Sequence, residues 1–266
     1  MTTHLRRSPA TSLLWAYVAV YLAFLYLPVG LIPLFSFNDA IQAAFPIKGL
    51  TLDWYRAVAD NEALRSALLT SLEVGLSASA LATLCGVTIA YMDVFGRSPF
   101  ARLLATIASL PILIPGIIVG IALLILVNLA GIGPSRSAII AGHVLAGLPT
   151  AVMVMRSRFM NIPRSIPEAA QDLGAGDILV LWRVVLPLSA PAIGSAFMLG
   201  FLTSFDEFII AFFLAGTEPT LPLFIWSQLR FPKSLPMVMA LASLILAASI
   251  VIAGAAEMLR RRGQNR

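Results

Sequence analysis

Cysteine, histidine and lysine are nearly missing from this chain. Among 266 residues there is one cysteine, Cys85, two histidines, His4 and His143, and two lysines, Lys48 and Lys233. A single cysteine excludes an intrachain disulfide and any cysteine-based metal site. Neither lysine falls in a G-x-x-x-x-G-K-[ST] loop, so the chain has no phosphate-binding loop with which to act as its own ATPase. There is no H-E-x-x-H and no second histidine in an apolar segment, which excludes a metalloprotease. Charge is scarce too: 12% of residues are charged, against about 25% in soluble domains. What fills the space is apolar: 59% of residues are hydrophobic, and the mean hydropathy is +0.91. That composition excludes a soluble globular enzyme, a disordered chain and a disulfide scaffold. With about 20 apolar residues per membrane span plus loops, the length accommodates five to seven helices and leaves little room for a separate soluble domain. The net charge of +5 is no sign of nucleic-acid binding, because loop arginines in such proteins set orientation.

The apolar runs can be read in order. The first extends over about 11–37 behind His4, Arg6 and Arg7. It is too long for a signal-peptide core and no small-residue cleavage site follows, so it is expected to remain as an anchor helix. Arg6-Arg7 lacks the rest of a twin-arginine signal. Residues 38–64 are polar and turn-rich, with a short helix expected at Leu52–Ala59. Further spans are expected at Arg65–Met92, Phe100–Ala130, Ser137–Met155 and Pro236–Met258. The third contains Pro111 and Pro115, which membrane helices tolerate where neighbours satisfy the freed backbone groups.

Residues 184–216 form the one run that does not fit a single span. As continuous helix its 33 residues reach about 50 Å at about 1.5 Å each, against a hydrocarbon core of about 30 Å. The helix must break, and Asp206-Glu207 is the expected place. Val184–Phe205 is then the fifth span, and Phe208–Leu214 a short re-entrant or interfacial piece. With six spans and the N-terminus inside, twelve basic residues lie inside: Arg6, Arg7, Arg97, Arg102, Arg156, Arg158, Arg164, Arg183, Arg260, Arg261, Arg262 and Arg266. Six lie outside: Lys48, Arg56, Arg65, Arg136, Arg230 and Lys233. The imbalance places both termini, and the 156–183 loop, in the cytoplasm.

That loop is the most informative segment. Ser165 with Glu168 has the spacing of a capping box, and Pro167 suits a first helical turn. Ile166, Ala169, Ala170 and Leu173 share one stripe of the expected helix over 165–176. A small-residue stripe permits close approach by a partner; the plainer reading is an interfacial helix lying on lipid. Glu168-Ala169-Ala170, then three residues, Gly174, then nine, then Val184-Val185-Leu186-Pro187 resembles the EAA motif, EAA-x3-G-x9-I-x-L-P, of the permease subunits of binding-protein-dependent ABC importers. Val184 replaces the usual isoleucine; the spacing otherwise agrees. The resemblance implies an all-α integral membrane protein with the six-helix fold of type I importers. A single permease domain would occupy 1–266, with a five-helix core over about 65–259 behind the anchor. It implies that Glu168, Ala169, Ala170, Asp172, Leu173, Gly174, Leu186 and Pro187 couple the permease to a cytoplasmic ATPase, with Gly174 where a side chain would clash.

Softer cues resemble the second permease subunit of spermidine/putrescine-type transporters. These are Leu110-Pro111 with Pro115-Gly116, His143 with Pro149, the string Ser204-Phe205-Asp206-Glu207-Phe208, Trp54-Tyr55, and Leu221-Pro222 with Trp226. They imply a polyamine-type solute and a bacterial inner-membrane location. The implied partners are a homologous second permease subunit, an ATPase dimer that binds the ATP, an extracytoplasmic solute-binding protein and membrane lipid. No cofactor or metal is expected in this chain, and no nucleic acid. The competing class is a secondary transporter driven by an ion gradient, which needs no EAA helix.

The remaining polar residues have plainer readings beside sharper ones. Asp206 and Glu207 either face a cation pathway or cap the broken helix. His143 is expected as a packing or hydrogen-bonding residue. A Ser77–His143 protease pair is the remote alternative, since the small residues Gly75, Ser77, Ala78, Ser79 and Ala80 read more simply as a helix-packing face. Glu73 is expected to pair with Arg65 or with solvent.

Overall fold

The computed structural model describes residues 9–96 and 99–264; Arg6, Arg7, Arg97 and Arg266 of the charge count lie outside them. Twelve α-helices carry the described chain: α1 Pro9–Ser36, α2 Asp53–Ala59, α3 Glu62–Val94, α4 Pro99–Ser109, α5 Gly116–Leu129, α6 Arg136–Met160, α7 Ser165–Asp172, α8 Asp177–Val180, α9 Leu186–Asp206, α10 Ile209–Leu214, α11 Leu221–Leu229 and α12 Leu235–Gln264. Among the described residues the only β pairing is an isolated bridge between Asn38 and Leu50.

Among the described residues, five helical stretches are long and apolar enough to cross a membrane: Leu13–Ser36, Glu62–Val94, Arg136–Met160, Asp177–Asp206 and Pro232–Val251. The expected third span over Phe100–Ala130 is sharply bent. It divides into Pro99–Leu113 and Gly116–Leu129, bent by 112°, and six spans are reached only by counting that pair as one. The prolines explain the break. Pro115 disfavours helical geometry at Ile114, which is extended at ψ 127°. Pro111 sits at the start of the tight turn Leu110–Leu113 instead of inside a helix.

The fifth span begins earlier than the apolar run does. α8 leads through a π-helical turn, Leu181–Val185, into α9. Pro187 explains the wide turn: it has no amide to give back along the helix, and its ring crowds the carbonyl four residues earlier. At the other end α9 stops at Asp206, and Glu207 is extended at ψ 115°. The break therefore falls at the expected acidic pair, followed by the short α10.

The chain forms two compact units, one from the described parts of Met1–Asn61 and Ile225–Arg266, the other from Glu62–Phe224. In the first unit α1 and α2 both pack on α12. Most of α1 is exposed, with Leu13, Trp15 and Phe24 among its bare side chains, as suits an anchor surrounded by lipid. Residues 36–55 are knotted by three hydrogen bonds. Trp54 Nε1 donates to the Asn38 carbonyl at 2.9 Å, the Lys48 amide donates to Asn38 Oδ1 at 3.1 Å, and the Ser36 and Tyr55 hydroxyls pair at 2.6 Å.

In the second unit α3 packs on both α6 and α9, and these two also pack together. Small residues make the approach possible. A Cβ placed on Gly86 would lie 2.7 Å from Ala151 Cβ and 2.9 Å from the Ala151 carbonyl carbon; one on Gly75 would lie 3.0 Å from the Phe201 ring. Gly75, Ala78, Ser79, Ala82 and Ala90 are buried along the same helix. The expected packing face is thus real but shifted, since Ala80 is exposed and Ser77 only half-buried. One apolar cluster gathers around Ile139, Ile210 and Leu214, another around Met155, Phe159 and Val185.

Replacing Gly86 with Val forces Cβ into α6 backbone and should cost about 1–3 kcal/mol. The expected result is a lower melting temperature in detergent. Gly194→Ala, where nothing lies within 4 Å, should leave the midpoint unchanged or raise it.

Candidate functional site

α7 begins after Pro163 and ends at Asp172, short of the expected 176. The capping box is absent. Arg164 already holds helical angles (φ −60°, ψ −27°) and its carbonyl accepts the Glu168 amide at 3.1 Å. Ser165 therefore lies inside the first turn, whereas an N-cap side chain needs extended backbone. Ser135 does meet that condition at the start of α6, with φ −165° and its hydroxyl taking the Ala138 amide.

The C-terminus of α7 is closed by Gly174. The Gly174 amide bonds to the Gln171 carbonyl at 2.8 Å and the Ala175 amide to the Ala170 carbonyl at 3.1 Å, the paired bonds of a Schellman end. Gly174 has φ +88°, a conformation costly for any residue with a Cβ. The expected clash is absent within this chain, where a Cβ would meet nothing within 4 Å. Glycine is required here by backbone angle.

The apolar stripe of α7 divides. Pro167 is buried, and Ala170 packs with Ala175 against the cluster of Met155, Phe159 and Val185. Ile166 and Ala169 are exposed, and Leu173 is 91% exposed. Glu168 and Asp172 are exposed as well. Further bonds secure the loop: Gln171 Nε2 donates to Asp177 Oδ1 at 2.8 Å, and the Tyr91 hydroxyl donates to the Asp177 carbonyl at 3.2 Å. Leu186, half-buried, and Pro187, exposed, open α9 just beyond the π turn. The Arg158 guanidinium donates to the Leu188 carbonyl and ties α6 to the same place. The result is a helix held from behind with a large apolar side chain presented in front.

Asp206 and Glu207 stand at the far end of α9, about 30 Å away at about 1.5 Å per residue. Their roles separate. Glu207 is half-buried, and its carboxylate accepts the Ile210 amide at 3.0 Å, which satisfies an orphan donor of α10. Asp206 is exposed and has no hydrogen-bond or ion-pair partner among the described residues.

Nearby, His143 is 2% exposed, and its Nδ1 lies 2.7 Å from Ser204 Oγ. The expected hydrogen-bonding role is found, and the hydroxyl partner is Ser204 instead of Ser77. The expectation for Glu73 needs correction: its partner is Arg136, whose guanidinium also pairs with Glu218. Three segments distant in sequence meet there, and no local spacing signals it. Asp93 with Arg156 is a second such pair, at 2.7 Å.

Residues 82–263 match the family described as "Binding-protein-dependent transport system inner membrane component". The chain belongs to this family. Over 247 residues it is 31% identical to the spermidine/putrescine transport system permease protein PotC of Escherichia coli (strain K12), covering 91% of each chain. Over 260 residues it is 33% identical to the putrescine transport system permease protein PotI of the same organism, covering 94% of this chain and 92% of that one. A solved chain from a bacterial ABC transporter involved in the import of the acidic polysaccharide alginate matches with a TM-score of 0.73 at 17% identity. The match covers 97% of this chain and 99% of that one, and it speaks to fold alone. The protein is a multi-pass permease subunit of an ABC importer in the inner membrane, with the type I fold and no ATPase activity of its own.

The geometry of this permease's loop makes a specific prediction. Gly174→Val should break the Schellman end, so the Gly174 and Ala175 positions lose amide protection in hydrogen exchange. Gly174→Asn, which tolerates positive φ, should retain most of it.

Proposed function

We propose that this permease forms half of a pathway for a polyamine-class cation and takes its drive from a separate ATPase through the exposed face of α7. Both termini and the 156–183 loop are cytoplasmic in this reading, supported by the twelve-to-six split of basic residues. The second half of the pathway comes from a homologous permease, and the solute is delivered by an extracytoplasmic binding protein. Glu168, Ala169, Asp172, Leu173 and Gly174 present the contact surface to the ATPase. Ala170, Leu186 and Pro187 hold that surface to α9, so movement of the loop becomes movement of the span.

The observation that carries the substrate class is Asp206. A bare carboxylate on an apolar helix is costly against hydrocarbon, by about 2.5–3.5 kcal/mol at the centre of a bilayer on insertion scales. Facing a water-filled path removes that cost, and a cation there meets it in a lower dielectric than bulk water. Glu207 has its carboxylate committed to α10 and supports the position of Asp206. The relatives at 31% and 33% identity, named for spermidine and putrescine, agree with a multiply charged amine.

The test is ATP-dependent uptake by the assembled importer in vesicles. Spermidine or putrescine uptake should require ATP and persist without an ion gradient. Asp206→Asn should raise the half-saturating concentration about tenfold, the loss of one charge-assisted contact, with the difference narrowing in high salt. Unchanged uptake at every substrate concentration would remove Asp206 from the path.

A further inference from the structure

A cavity of about 300 Å³ opens between the end of α3, α4 and α6, at the same end of the helices as the 161–176 loop. Its polar wall holds Asp93, Arg102 and Arg156; its apolar wall holds Leu110, Leu113 and Met153. Two arginines against one carboxylate leave a net positive charge. Asp93 is nearly buried, at 4% side-chain exposure, and takes Arg156 Nε at 2.7 Å. Arg156 is still 49% exposed, so the other nitrogens of its planar fork remain for a second acceptor. Arg102 is exposed and has no ion-pair partner among the described residues. It is the fourth residue of α4, and Asp93 the penultimate residue of α3. These two charges lie at helix ends and Arg156 about one turn from the end of α6, which suits headgroup depth in a membrane.

The apolar wall is equally informative. Leu113 is 76% exposed, Met153 58% and Leu110 45%. A cationic pocket continued by bare aliphatic side chains, on the turn after α4 and on α6, has the shape of a phospholipid, with the phosphate at the arginines and the acyl chain on the leucines. A free phosphate ion would use only the first half. Basic pockets between membrane helices at headgroup level bind anionic lipids in this way, and arginine is suited to a phosphate by its paired donors.

We infer that the Asp93–Arg102–Arg156 cavity is a binding site for an anionic phospholipid, with Arg102 as its principal phosphate ligand and Asp93 positioning Arg156. The inference concerns one end of the second unit and does not depend on the transported solute.

The experiment uses the assembled importer in nanodiscs of mixed phosphatidylglycerol and phosphatidylethanolamine. Lipids that remain bound are counted by native mass spectrometry. Wild type should retain phosphatidylglycerol preferentially, and Arg102→Gln should weaken that retention about tenfold. Arg183→Gln removes an exposed arginine outside the cavity and should have no such effect. Leu113→Ser, which removes the apolar wall without adding charge, should weaken retention, which separates lipid from headgroup alone. Equal loss in the two arginine variants, or loss in neither, would overturn the site. Displacement of the lipid by millimolar inorganic phosphate would overturn the lipid assignment. Unchanged lipid counts with weakened subunit assembly in Arg102→Gln would show instead that a protein partner covers the cavity.

Discussion

The approach of α3 to α6 and α9 is the constraint on which residues 62–224 depend. At Gly86 there is no room for a single carbon before Ala151 is struck, and at Gly75 the neighbour is the edge of the Phe201 ring. In lipid the hydrophobic effect does little to hold helices together, because the surroundings are as apolar as the interface. Close van der Waals packing of small residues supplies the attraction. From that contact the positions of both functional ends follow. The C-terminal parts of α3 and α6 form, with Val180, Val185 and Ala196, the apolar bed on which Ala170 and Ala175 rest. Towards the other end α6 places Gly142 beside Ile210 and Leu214, which fixes α10 and with it the break at Glu207.

Polar groups in this unit act mainly as fasteners, and the exceptions are informative. Glu207 is spent on a helix amide, His143 on a serine, Arg136 on two glutamates and Asp177 on the coupling loop. For His143 and Glu207 the bond offsets part of the cost of burial, whereas the Arg136 and Asp177 bonds join groups that water still reaches. Leu173, Asp206 and Arg102 have no such use. A bare leucine, a bare carboxylate and a bare arginine fit three different occupants: a protein surface, a cation and an anionic headgroup.

Much of this was readable from the chain. Length and hydropathy give the spans, because a helix across 30 Å has few alternatives, and the overlong run from 184 to 216 betrays its own break. The EAA spacing singles out the segment that α7 occupies. The misses lie where backbone geometry or long-range contact decides. Ser165 and Glu168 have capping-box spacing, yet the helix starts one residue earlier because Arg164 is already helical. Gly174 reads as a close approach to a partner, and the structure adds a backbone reason that spacing does not show, a left-handed helix end. Pro111 and Pro115 read as tolerated and instead turn the chain through 112°. The Arg136 pairs with Glu73 and Glu218 join residues 63 and 82 positions apart, beyond any local pattern.

The central functional claim is that Leu173, held out by the Schellman end of α7, is the surface that meets the ATPase. Site-specific cross-linking tests it directly. With Cys85→Ser and Leu173→Cys in the assembled importer, a short bifunctional reagent should join this chain to the ATPase subunit in high yield. Leu188→Cys, at the third residue of α9, should give none. Absence of the Leu173 cross-link in a complex that still imports solute at the normal rate would contradict the claim.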